Sequence, residues 1–79
     1  MYHAITEVKP LINYTLELIF DSKEIRIFDL EPYLSVGRFR ELADIGKFRQ
    51  VKVKYDTIEW LNGLDLDPEF LYAKSIKIK

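Results

Sequence analysis

Cysteine is absent, which excludes disulfides, thiolate metal sites, redox motifs and cysteine nucleophiles. A reducing, cytoplasmic setting is the expectation. Glycine is scarce, and Gly37, Gly46 and Gly63 are too far apart to form a phosphate-cradling loop. Histidine occurs once, as His3, four residues from Glu7. A catalytic imidazole needs a nucleophile and an orienting partner, and Ser22, Ser35 and Ser75 read as turn or cap residues. His3 is therefore expected to be a partly exposed strand residue. Apolar runs last only a few residues, far short of the roughly 20 that span a bilayer, so no membrane association is expected. The opening "MYHAITEVKP" is neither basic nor continuously apolar, which speaks against a signal peptide. Basic excess is missing too: 12 Lys and Arg stand against 13 Asp and Glu, whereas proteins that grip phosphates usually carry surplus positive charge.

What is present is bulk. Apolar residues make up 48% of the chain, with five Phe, five Tyr and one Trp among its 79 residues. A chain of this length forms one domain over residues 1–79 and buries only about 60–65% of its unfolded surface. Its core must therefore hold without covalent help.

Alternation organises the first half. "ITEVKP" is a strand ending at Pro10. "YTLELIF" puts Tyr14, Leu16, Leu18 and Phe20 on one face. After the turn "DSKE", "IRIF" is predicted to point Ile25 and Ile27 inward and Arg26 outward, where it would pair with Glu17. Asp29 can cap a short turn holding Pro32. Phe39 and Leu42 are spaced for one face of a helix of about two turns, ended by Gly46, with Phe48 anchoring the next strand. Period two returns in "VKVKYDTIEW", with Val51, Val53, Tyr55, Ile58 and Trp60 on the apolar face and Lys52 and Lys54 opposite. Its turn lacks glycine, so either the loop exceeds two residues or Asp56 adopts a left-handed conformation. Asn62-Gly63 turns the chain away from the sheet. Asp67 then caps a helix with Pro68 at its first position and Glu69 in its first turn. "SIKIK" is a frayed tail or a charged edge strand. The expected architecture is α+β in the order β-β-β-α-β-β-α, with antiparallel hairpins in a bent sheet closed by short helices.

Three kinds of chemistry deserve weighing. The acid-rich "NGLDLDPE" does not fit a calcium loop, because Gly63 precedes both aspartates and Pro68 interrupts the ligand register. Thirteen acids offer many carboxylate pairs, but no spacing singles out a general acid and base, so neither enzymatic activity nor a metal or other cofactor is expected. The basic run Arg38, Arg40, Lys47, Arg49, Lys52 and Lys54, near Phe39, Phe48 and Tyr55, is a candidate nucleic-acid surface. Set against that, Glu41, Asp44, Asp56 and Glu59 would neutralise it.

The terminal pattern W-x-N-G-x-D-x-x-P-E-x-L-Y, carried by Trp60, Asn62, Gly63, Asp65, Pro68, Glu69, Leu71 and Tyr72, resembles that of the small bacterial family DUF2442. The likeness runs from about Val8 to Ser75. Leu61 stands where a Pro is usual, and Asp56 near a usual turn Gly. The resemblance implies a compact α+β fold and no established activity. It also implies an antitoxin-like partner of a protein encoded nearby. The leading expectation is thus a non-enzymatic protein-binding or regulatory module that contacts its partner through Trp60, Asn62, Gly63, Asp65 and Tyr72. The alternative is nucleic-acid binding through residues 38–54. The chain alone would be a monomer, or a homodimer joined at the "SIKIK" edge.

Overall fold

The computed structural model describes residues 3–79; Met1 and Tyr2, the first residues of the stretch weighed as a signal peptide, lie outside them. In chain order the elements are β1 (Ile5–Pro10), β2 (Thr15–Phe20), β3 (Ile25–Asp29), α1 (Ile45–Phe48), β4 (Val51–Lys54), β5 (Thr57–Trp60), β6 (Asp65–Leu66), α2 (Pro68–Lys74) and β7 (Ile76–Lys77). Short 3-10 turns occupy Ile12–Tyr14, Glu31–Tyr33 and Gly37–Ala43. The strands form two antiparallel sheets, β1-β2-β3-β7 and β4-β5-β6, where the sequence suggests one bent sheet. Ile5 N–H donates to Asp56 O at 2.9 Å and links them. The fold is a small α+β domain.

Its core lies between the sheets. Leu16, Leu18, Phe20 and Phe28 cluster with Ile58 and Trp60, and with Leu30, Leu42, Phe48 and Leu71 from the helical segments. Parity on β3 is opposite to the expectation. Phe20 N–H bonds to Glu24 O across a three-residue loop whose last residue, Lys23, is left-handed at φ 76°. Leu16 therefore faces Phe28, and Leu18 faces Arg26. Reading Asp21–Glu24 as a four-residue turn shifts register by one and sends every β3 side chain to the wrong face. Ile25 and Ile27 lie instead on the outer face with Glu17 and Ile19, and Glu17 sits opposite Ile27 rather than Arg26.

Other local differences have equally local causes. Asp44 accepts from Gly46 N–H and Lys47 N–H, so it starts a new helix that contains Gly46 instead of ending there. Tyr14 leaves the strand in a left-handed conformation, φ 59°. Asn62-Gly63 closes a hairpin back onto the sheet, which creates β6. Asp29 does receive Glu31 N–H, and Asp67 receives Glu69 N–H at 2.7 Å, as cap chemistry predicts. The tail pairs with β3 as an edge strand.

Tyr55 and Asp56 form a two-residue turn with φ of 51° and 70°, and Tyr55 is 86% exposed instead of joining the apolar face. Both positions of such a turn favour Asn-Gly, because a Cβ strains the left-handed backbone. Replacing Tyr55-Asp56 by Asn-Gly is expected to stabilise the domain by about 1–2 kcal/mol. Urea unfolding reads this directly; unchanged or lower stability would contradict it.

Candidate partner-binding site

The loop after β5 is built by its backbone. Trp60 N–H donates to Leu64 O at 2.8 Å and Gly63 N–H donates to Trp60 O at 3.0 Å. This is a three-residue hairpin loop whose third position needs positive φ, and Gly63 supplies 89°. Asn62 Oδ1 accepts Leu64 N–H at 3.1 Å and fixes the turn from inside. Its Nδ2 donates to Glu41 Oε1 at 3.0 Å, while Arg38 Nη2 donates to Asn62 O at 2.9 Å. The Asn62 amide, with help from Arg38, holds the Glu41 carboxyl below its ordinary range. One asparagine thus ties the loop to the Gly37–Ala43 segment.

Trp60 itself is 1% exposed, and its indole N–H donates to Phe48 O at 2.9 Å. It supports the site from below. Above it lies a groove of about 250 Å³ lined by Leu42, Lys47, Gln50, Trp60, Leu61 and Asn62. Leu61, 69% exposed at the loop tip, forms one wall.

Of the residues expected to meet a partner, Trp60 and Asn62 line this groove and Gly63 shapes its loop. Asp65 does not join them. It lies opposite Glu59 on the outer face of the second sheet, the face that carries Lys52 and Lys54. Tyr72 belongs to a separate cluster on α2. Sequence alone marks Leu61 as a departure from a usual Pro but places neither it nor Gln50 at the site; the available signal is an apolar residue in a tight hairpin loop, where polar residues are the rule.

The basic run divides between elements. Arg38 and Arg40 lie on the Gly37–Ala43 turn, Lys47 on α1 with Arg49 just after it, and Lys52 and Lys54 on β4. Lys54 Nζ is 3.1 Å from Glu59, and Arg38 Nε is 3.5 Å from Glu41. Asp44 is occupied as a helix cap. Among the described residues, Arg40, Lys47, Arg49 and Lys52 make no ion pair. Of the neighbouring aromatics, Phe48 is fully buried and Phe39 is partly buried, edge-on to Trp60 at 6.4 Å, whereas Tyr55 is exposed.

Tyr72 anchors a polar network. Its ring stacks on His3 at 3.7 Å, and the Arg26 guanidinium lies 4.1 Å from the ring centroid. Two groups that close cannot share a face, so the ring is sandwiched. Tyr72 O–H donates to Glu24 at 2.8 Å, Arg26 donates to Glu24 at 2.9 Å, and Arg26 Nε donates to Ser75 Oγ at 2.8 Å. His3 donates to Glu69 through its backbone N–H at 2.6 Å and through Nδ1 at 2.7 Å. His3 is partly exposed, as expected, but it precedes β1 instead of lying in a strand and is engaged with Glu69, 66 residues away. Among the described residues, no group of three His, Cys, Asp or Glu is arranged to hold a metal.

This network implies a pH profile. The Tyr72 hydroxyl, then Arg26, holds the Glu24 carboxyl low, and His3 does the same for Glu69. The bond to Glu24, with burial, pushes the Tyr72 phenol up. Depressed carboxylates contribute stability above their ordinary value of 4.5, lost as pH falls through the lowered values. A raised phenol contributes below 10.0, lost as pH rises through the raised value. Urea midpoints against pH are expected to fall on both sides, and Tyr72→Phe to abolish the alkaline fall and shrink the acid one. An unchanged profile in Tyr72→Phe would contradict the network.

No helix among the described residues is long and apolar enough to cross a membrane. No curated protein and no solved structure matches the chain. One family model does, over residues 5–77, and its description is "Protein of unknown function (DUF2442)". With nearly the whole sequence matched, from the start of β1 to the end of β7, the chain belongs to the DUF2442 family.

Proposed function

We propose that this chain is a non-catalytic protein-binding module, the neutralising or regulatory half of a two-gene pair in the bacterial cytoplasm. It would bind the neighbouring gene product through the groove beside the Trp60 loop. The observation that carries this reading is Leu61, a large apolar side chain left 69% exposed on the wall of a groove floored by Leu42 and Trp60. Folding gains little from it there, whereas a partner that covers it gains its full burial. The clustered polar side chains support the same reading. His3 with Glu69, Tyr72 with Glu24 and Arg26, and Asn62 with Glu41 are each committed to holding elements together.

Co-expression with the adjacent gene's product, followed by a sizing column, tests the proposal. One shared peak is expected, lost on Leu61→Glu; two proteins that migrate separately would refute it. The chain run alone on the same column distinguishes monomer from homodimer.

A further inference from the structure

The groove has a charge character that its apolar walls conceal. Lys47 lines it, and Arg40 and Arg49 occupy the same exposed segment without an ion-pair partner among the described residues. The acids of that segment are already engaged, Glu41 by Arg38 and Asn62, and Asp44 by the first turn of α1. An exposed apolar wall beside an excess of positive charge, Arg38, Arg40, Lys47 and Arg49 against Glu41 and Asp44, fits one class of occupant.

We propose that the groove receives an acidic segment of a partner protein. An aliphatic or phenyl side chain would sit against Leu61, over the buried Leu42 and Trp60, with flanking carboxylates facing Lys47. This rests on the protein-binding reading and deepens it by naming the partner's chemistry. Charge complementarity selects acidic over basic segments and speeds encounter, while the apolar anchor supplies holding energy. Nucleic acid is the other polyanion that positive charge attracts. Its non-specific binding uses exposed aromatic rings as stacking platforms, and the rings beside the groove face inward: Trp60 and Phe48 are buried and Phe39 is packed on the core, while the exposed Tyr55 stands on the β4–β5 turn outside the groove lining. The chain's net charge of −1 also disfavours a general phosphate binder.

Trp60 is the sole tryptophan and lines the groove, so its fluorescence reports occupancy directly. The probes are two short synthetic peptides with the same Leu and Phe anchors, one flanked by Glu and Asp and one by Lys, together with an oligothymidylate. The acidic peptide is expected to shift Trp60 emission. Lys47→Glu and Leu61→Glu should each weaken it about tenfold, and Lys74→Glu on α2 should not. All three positions are exposed, and circular dichroism is the check that each variant folds. Equal or tighter binding of the Lys-flanked peptide would overturn the acidic assignment while leaving the groove a protein site. Silence from both peptides would overturn the inference, with the co-expression column still deciding the broader reading. Oligothymidylate binding that is weakened by Lys47→Glu, with both peptides silent, would overturn it in favour of nucleic acid.

Discussion

Trp60→Ala is expected to destabilise the domain by about 3–5 kcal/mol, and Trp60→Phe by about 1–3 kcal/mol. The indole is 1% exposed, contacts the buried cluster and meets Phe39 edge-on at 6.4 Å. Truncation removes this contact area and leaves a cavity between sheet and helical segment. Phe preserves most of the bulk but not the N–H that Phe48 O accepts at 2.9 Å, leaving a carbonyl without its donor in a buried place. A domain of this size has total stability near the lower end of about 5–15 kcal/mol, so the Ala variant should be partly unfolded without denaturant. Circular dichroism is the probe, because the variant has lost the only tryptophan. A change below about 1 kcal/mol for Trp60→Ala would place the indole outside the core.

The second large effect distinguishes two adjacent residues. Phe28→Ala is expected to cost about 3–5 kcal/mol, and Ile27→Thr less than about 1 kcal/mol. Phe28 is fully buried opposite Leu16, with Tyr33 stacked at 5.8 Å and Phe70 edge-on at 6.1 Å. Ile27 points to the outer face opposite Glu17, where Thr retains the β-branched shape that suits a strand. The opposite ranking, Ile27 costly and Phe28 cheap, would mean that β3 pairs with β2 one residue out of register.

That pair also shows where sequence reasoning reaches and where it stops. Capping is chemistry within three residues, so Asp67, Pro68 and Glu69 announce their helix, and Asp29 its turn, before any fold is known. Strand existence was equally legible from alternation in "TLELIF" and "TIEW". Strand parity was not. It depends on whether the Asp21–Glu24 loop holds three residues or four, and Lys23 carries no mark of the left-handed conformation it adopts. Tyr55 misled in the same way, because a bulky side chain in a tight turn contradicts local preference.

The site was half legible. Trp60, Asn62 and Gly63 stood out as a cluster, and the structure shows that their common task is the hairpin loop and the core beneath it. Asp65 and Tyr72 share the motif but not the place, since alternation sends one to the far face of the sheet and the helix carries the other into the His3 network. Lys47 and Leu61 converge on the groove through the Trp60–Phe48, Arg38–Asn62 and Asn62–Glu41 hydrogen bonds, contacts 12 to 24 residues apart that no local pattern encodes.

The central claim is that the motif residues build the fold while the Leu61 side chain beside them remains free for a partner. The most direct test is the urea midpoint of Leu61→Ala. It should match the parent chain within about 0.5 kcal/mol, as for a side chain exposed at a loop tip. A loss of about 2 kcal/mol or more would show that Leu61 is packed in solution, as buried leucines are, and that no open groove exists.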